Sequence, residues 1–332
     1  MKFKISTLVI PAGSGMAVMA IKALRQDKEI KIIAADSNTL APGLYLSHKG
    51  VMLPSFDDKC FFEKLIELTK KENINVIMPS LDTILLAFSE KAEEFKELGV
   101  KILVSDPETI RITRDKWQTY ARLKDVIPYA KSFNDIREID IDFPLFIKPR
   151  EGSGSKDAYK VNSKIELDFY WHHIRNAVIQ EYLCGDEYTV DCLADMEGNL
   201  VACVPRKRIE IRDGISTKSL IVQDENLEKL AKLLAGHLAF KGPFFFQAKK
   251  DSYGSSKVIE VNARIAGTMC PSSFSESNFH ILGVRLAMGE KIQPPKVKYG
   301  VYLTRYWEEI YISETEIQSK FDYSYLNVSS LL

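Results

Sequence analysis

The chain has 332 residues, 45% of them hydrophobic and 27% charged, with 45 Lys+Arg against 45 Asp+Glu and no formal net charge. That composition excludes disordered and fibrous classes, and it lacks the basic excess of a nucleic-acid or anionic-membrane binder. At roughly 100–200 residues per domain the length allows two or three domains, each with its own core. Five cysteines (Cys60, Cys184, Cys192, Cys203, Cys270) are scattered without a C-x-x-C pair, which argues against a disulfide framework or structural zinc and for a reducing compartment. Met1 to Lys4 and the apolar run from Ile5 have the look of a signal peptide, but Pro11-Ala12-Gly13-Ser14-Gly15 interrupts the run too early. No other stretch approaches the roughly 20 apolar residues of a membrane span, so the expectation is a cytoplasmic protein.

In chain order, Ile5 to Ile10 reads as a strand, followed by a Gly-containing turn and a helix over Met16 to Leu24. Ile30 to Ala35 is a second strand, Asp58 to Glu72 an amphipathic helix, Val76 to Pro79 a third strand, and Thr83 to Leu98 another helix. This alternation predicts a parallel sheet with helices on both faces, a Rossmann-like α/β domain over residues 1–105. After Asp106-Pro107 one helix is expected to include Asp115 and Lys116. The texture then turns to α+β: strands at Leu145 to Lys148, Ala177 to Glu181 and Tyr188 to Ala194, and a helix at Glu225 to Ala239. Pro243 to Lys249 and Lys257 to Arg264 close a hairpin through Asp251 to Ser255. A late strand is expected over Tyr302 to Tyr311, including Arg305 and Trp307, either lining an acceptor site or packing a domain edge, with packing favoured for Trp307.

The last hairpin carries the strongest chemical signal. A period of two puts Glu260, Asn262 and Arg264 on one face and Ile259, Val261 and Ala263 on the inward face, with Gln247 on the partner strand. Carboxylate and amide oxygens together suit a hard cation such as Mg2+, and a guanidinium suits an adjacent phosphate or carboxylate; a merely polar outer strand face is the plain alternative. Lys148 ends a strand and runs into Gly152-Ser153-Gly154-Ser155, a lysine with closely approaching N–H groups as phosphate sites use, though not a Walker A loop. Gln180 to Glu187 links two strands and brings two carboxylates, which on their own read as a solvated turn.

In this order the segments resemble the ATP-grasp superfamily, most closely the branch of the carbamoyl-phosphate synthase large subunit and the carboxylate–amine ligases, from the first strand to about Glu290. The resemblance implies an α/β pre-ATP-grasp domain (1–105), a small grasp lobe (106–180) and a large lobe with the C-terminal segment (181–332). It assigns Lys116 and Lys148 to the nucleotide phosphates and Gly152, Ser153, Gly154 and Ser155 to the loop closing over them. Glu181, Tyr182 and Leu183 match the hinge that contacts adenine, and Glu187 the carboxylate that takes the ribose hydroxyls. Gln247, Glu260 and Asn262 match the metal ligands, and Arg264 the arginine that steadies the transferring phosphate. The implied activity is ATP- and Mg2+-dependent, with Mn2+ as a substitute cation: a small carboxylate, an amino acid by expectation, becomes an acyl phosphate and is coupled to an amine. Catalytic roles fall to Arg264 and Lys148, and Arg208 or Arg212 is the candidate holder of a substrate carboxylate. Partners are small molecules, with neither nucleic acid nor membrane, and family analogy suggests a homodimer through the first domain.

Departures from the family pattern are also legible. A single grasp unit is too little for complete carbamoyl-phosphate synthesis, and Ile84 stands in Asp82-Thr83-Ile84 where a glutamate is expected. An ATP-dependent phosphotransferase, or a carbamoyl-phosphate-synthase-like enzyme, that stops at a phosphorylated product is the alternative reading. Gly13-x-Gly15 with Asp36 fits the start of a dinucleotide fingerprint, but Val18 replaces its third glycine, which weakens an NAD-dependent oxidoreductase. A non-catalytic nucleotide-binding protein is disfavoured by the presence of Gln247, Glu260 and Asn262.

Overall fold

Three sheets, each grown from its own run of apolar residues, meet around one cleft. The computed structural model describes residues 3–269 and 277–326; Cys270 and the last residues of the C-terminal segment lie outside the described residues. The first unit contains β1 (Ile5–Ile10), α1 (Gly15–Leu24), β2 (Ile30–Asp36), α2 (Pro42–Leu46), β3 (Lys49–Met52), α3 (Phe61–Glu72), β4 (Val76–Pro79), α4 (Asp82–Glu90), α5 (Ala92–Glu97) and β5 (Lys101–Ile102). Its strands pair in parallel in the order β3-β2-β1-β4-β5. Helices cover both faces, so the strands are apolar on both: Leu8, Ile10 and Ile33 enter one core while Val9, Ile32 and Ala34 enter the other. The strand order switches sides between β1 and β4, where a ligand crevice is expected beyond the strand ends. There Ser80 donates to the Pro11 carbonyl at 2.6 Å and joins the β4 loop to the β1 loop.

The expected helix over residues 83–98 is two helices, divided at Lys91. The helix expected across Asp115 is also two, α6 (Pro107–Arg114) and α7 (Lys116–Leu123). Asp115 is extended and its carboxylate accepts from the Trp117 and Gln118 N–H groups, so a side chain that competes with helical hydrogen bonding ends one helix and caps the next.

The second sheet, in the order β6-β9-β7-β8, comprises β6 (Ser132–Phe133), β7 (Leu145–Pro149), β8 (Tyr159–Val161) and β9 (Ala177–Glu181), backed by α8 (Lys164–His173). The third is antiparallel, in the order β14-β13-β10-β11-β12-β15. Its strands are β10 (Glu187–Ala194), β11 (Leu200–Arg212), β12 (Ile215–Ile221), β13 (Gly242–Lys250), β14 (Ser256–Asn262) and β15 (Tyr302–Thr304), with helices α9 (Glu225–His237), α10 (Phe279–Ala287) and α11 (Glu314–Lys320). The late strand is shorter than expected, and Trp307 is 92% exposed rather than packed. Pairing with β12 ends where Arg305 N–H meets the Thr217 carbonyl. No helix of the described residues is long and apolar enough to cross a membrane.

Within the third sheet Arg206, wholly buried, makes a two-pronged ion pair with Asp191, Nε–Oδ2 2.6 Å and Nη2–Oδ1 2.9 Å, and reaches Thr268 at 3.2 Å. Removing one partner of such a pair leaves a charge without compensation in the interior, at a cost of about 3–5 kcal/mol. Arg206→Met is therefore expected to lower unfolding free energy in urea by about that amount, and Arg206→Met/Asp191→Leu to recover most of it. A loss below about 1 kcal/mol in the single variant would contradict the pair's structural role.

Candidate functional site

Cavities of about 290, 170 and 210 Å3 open where the three sheets meet, and all three are lined by Ser153 and Glu260. They form one cleft with β14 as its floor. Gln247 on β13 stands opposite Glu260 on β14, and Asn262 Nδ2 donates to Glu260 Oε1 at 3.1 Å. Between them the pairing slips, since Ala248 faces Val258 and leaves Ile259 as the extra residue of a bulge. The bulge corrects the strict alternation expected from sequence: Val258 and Val261 enter the core, whereas Ile259 lines the second cavity.

Lys148, next to last in β7, is buried, and its ammonium donates to Gln180 Oε1 at 3.2 Å and to the Ile259 carbonyl at 3.1 Å. Burial pushes its pKa down to about 8, against the pull of Glu260. Lys116 opens α7, also buried, and donates to the Gly152 carbonyl at 3.0 Å. Burial alone would raise the Glu260 carboxyl; Lys116 and Lys148, helped by the Asn262 hydrogen bond and Arg264, outweigh it and hold Glu260 below its usual range. The site is thus a charged carboxylate between two buried ammonium groups. Gln180, which also donates to Ser132 Oγ at 3.0 Å, orients Lys148 and was visible in sequence only as a strand residue before Glu181.

Gly152, Gly154 and Ser155 have positive φ, and the loop they form lies over the cleft against the β11–β12 turn. A Cβ on Gly214 would come within 2.7 Å of the Gly154 backbone, so this close approach requires glycine. Glu187 lines the second cavity but is ion-paired to Arg208 at 2.8 Å. Glu181 turns its carboxylate to Lys257 at 2.9 Å and to the Lys131 N–H at 2.7 Å. Tyr182 lies under the Lys160 and Lys249 ammonium groups at 4.5 and 5.3 Å, and Leu183 is buried. None of Glu181, Tyr182 and Leu183 lines the three cavities.

Arg208 lines the second and third cavities, buried, with its pKa lowered by that burial. Arg212 does not join it: register shifts after Arg208 rotate the end of β11 outward, and Arg212, 71% exposed, pairs with Glu210 at 3.0 Å. Arg264 Nε donates to Asp82 Oδ1 at 2.5 Å and its guanidinium lies 5.1 Å from the Phe245 ring, which ties the parallel-sheet unit to the cleft. Asp82 had been legible only as the neighbour of a missing glutamate; Ile84 in that place is core. Asp36 accepts from the Gly13 N–H at 2.8 Å and fastens the β1 loop. His172 and His237 each bond a carbonyl of their own helix, Asp168 and Leu233. Among the described residues no group of three His, Cys, Asp or Glu side chains could hold a metal.

Residues 173–308 match a family model described as "ATP-grasp in the biosynthetic pathway with Ter operon", and residues 8–103 match "PylC-like, N-terminal domain". A formate-dependent phosphoribosylglycinamide formyltransferase of Prochlorococcus marinus is 27% identical over 53% of this chain and 48% of its own. A carbamoyl-phosphate synthase of Methanobrevibacter smithii is 23% identical over 73% of this chain and 70% of its own. The chain therefore spans about half the length of the formyltransferase. Among solved structures, the biotin carboxylase domain of the Hydrogenobacter thermophilus 2-oxoglutarate carboxylase, with MgADP and bicarbonate, superposes with a TM-score of 0.72 over 90% of this chain and 73% of its own, at 15% identity. That likeness is one of fold.

An anion entering the cleft draws on the charged form of Lys148, which is lost as pH rises through about 8. Calorimetric affinity for inorganic tripolyphosphate should therefore fall above pH 8, by up to about tenfold per pH unit, while Lys148→Arg, charged throughout, should hold its affinity. A wild-type profile flat to pH 9.5 would contradict the account.

Proposed function

Because the chain carries a PylC-like N-terminal domain followed by an ATP-grasp domain, we propose that it is an ATP- and Mg2+-dependent, ADP-forming ligase that activates a small carboxylate, of an amino acid, and joins it to an amine. The convergence of Lys116, Lys148 and Asn262 on Glu260, opposite Gln247, carries this reading. The relatives' names, a formate-dependent formyltransferase and a carbamoyl-phosphate synthase, support the same class of chemistry.

In this reading the triphosphate lies along Lys116, Lys148 and the N–H groups of Gly152 to Ser155, and the adenine lies against the backbone of Glu181 to Leu183. Glu187 exchanges Arg208 for the ribose hydroxyls. Glu260, Gln247 and Asn262 all offer oxygen ligands, and a single ionised carboxylate with amide oxygens would suit Mg2+ held together with the nucleotide phosphates. When bound, the cation offsets negative charge on the phosphoryl oxygens.

A carboxylate is a poor electrophile. One of its oxygens attacks the γ-phosphorus in line, the bond to the bridging oxygen breaks, ADP leaves, and the two lysines stabilise charge on the equatorial oxygens. Arg264, fixed by Asp82, steadies the acyl phosphate. The amine nitrogen then attacks the acyl carbon and phosphate departs as the amine loses a proton. The Gly152–Ser155 loop over the cleft keeps water from competing.

Mg-ATP with a panel of amino acids should release ADP and phosphate in a substrate-stimulated manner. Glu260→Gln should lower that rate by about 100-fold or more, on the scale of losing one electrostatic group of an active site, with thermal unfolding retained. Full activity in Glu260→Gln would remove the metal assignment, and an absence of stimulation across the panel would remove the ligase reading.

A further inference from the structure

The third cavity, about 210 Å3, is bounded by Gly15 and Met16 of the first unit, by Phe245, and by three arginines, Arg208, Arg264 and Arg305. These guanidinium groups are not equivalent. Arg264 is paired with Asp82 and Arg208 with Glu187. Arg305 follows the short edge strand β15, is fixed by its backbone N–H on Thr217, and places Nη2 about 3.9 Å from where a Cβ on Gly15 would stand. Among the described residues its guanidinium has no hydrogen-bond or ion-pair partner. Arg208 adds a second unmet donor, since its Nε is buried without an acceptor.

Asp213 and Glu260 are the acidic residues lining this cavity. Glu260 is committed to Lys116 and Lys148 across the floor. A guanidinium without an acceptor among the described residues lines this half-open cavity beside Arg208, whose buried Nε also lacks one, and such donors suit an anion, because a buried donor left without an acceptor costs about 1–3 kcal/mol. Arg264 already has a carboxylate partner in Asp82, whereas Arg305 has none among the described residues.

We propose that this cavity takes a substrate with two acidic groups, one activated beside Arg264 and a second carboxylate held by Arg305 with help from Arg208 Nε. The inference rests on the ligase reading and specifies its substrate class: a dicarboxylate, such as an acidic amino acid, in preference to a monocarboxylate. Arg305 is a specificity-determining residue here and takes no part in phosphoryl transfer.

The test is calorimetric binding of L-glutamate, L-aspartate and L-alanine to the full chain in the presence of Mg-ADP, for wild type, Arg305→Gln and Arg305→Lys. At least one acidic amino acid should bind more tightly than alanine. Arg305→Gln should weaken that binding about 10–100-fold, the range of a charge-assisted hydrogen-bonded contact, and abolish the preference. Arg305→Lys should restore part of it, and alanine binding should change little. Mg-ADP affinity, which depends on other walls of the cleft, should be the same in all three proteins. With Mg-ADP affinity intact, no preference for an acidic amino acid, or an unchanged preference in Arg305→Gln, overturns the proposal. Loss of Mg-ADP binding in the wild type would instead remove the ligase reading on which it rests.

Discussion

Everything in the cleft depends on how one buried carboxylate and two buried ammonium groups share charge. Glu260 stays ionised out of water because Lys116 and Lys148 face it, and Lys148 stays within reach of protonation because Glu260 offsets part of its desolvation. The neutral acceptors around the lysines, Gly152 and Ile259 carbonyls and the Gln180 amide, fix their positions without cancelling them. In the proposed ligase reading, this arrangement serves phosphate with two positive charges and a cation with a charged carboxylate.

Three separate parts of the chain have to be brought together to make it. The extended Asp115 starts α7 with Lys116 inside the cleft, β7 delivers Lys148 from the second sheet, and the bulge at Ile259 lets the β14 hairpin face Glu260 to the cavity while Val258 and Val261 stay in the core. Arg264 and Asp82 then fasten this assembly to the parallel-sheet unit. Beneath the floor, the Arg206–Asp191 pair extends the ionic design inward, toward Thr268 on the wall of the third cavity. The zero net charge of the chain is consistent with this: charge is placed in complementary positions, not accumulated.

Much of this was legible before any coordinates. Apolar runs at strand and helix spacing marked the parallel unit, and the Glu260, Asn262 and Gln247 pattern marked the floor of the site, because a hairpin's register follows from its turn. What sequence could not show was the phase change at Ile259, since a bulge leaves no local compositional trace. The outward rotation of Arg212 at the shifted end of β11 was hidden for the same reason. Arg305 was legible only within a late strand read as lining the acceptor site or packing a domain edge, and Asp82 only beside the missing glutamate, because each reaches the cleft from a distant part of the chain and tertiary packing sets its position. Trp307 shows the reverse error: a large aromatic side chain suggests packing, yet this one stands in solvent.

The account's central claim is that the cleft turns a carboxylate into an acyl phosphate. Its most direct test is trapping with hydroxylamine during incubation with Mg-ATP and acidic amino acids. The account predicts a hydroxamate formed in proportion to ADP and only when ATP and the acid are both present. ADP release without hydroxamate, or a phosphorylated product stable to hydroxylamine, would contradict it and leave a phosphotransferase or a simple ATP hydrolase in its place.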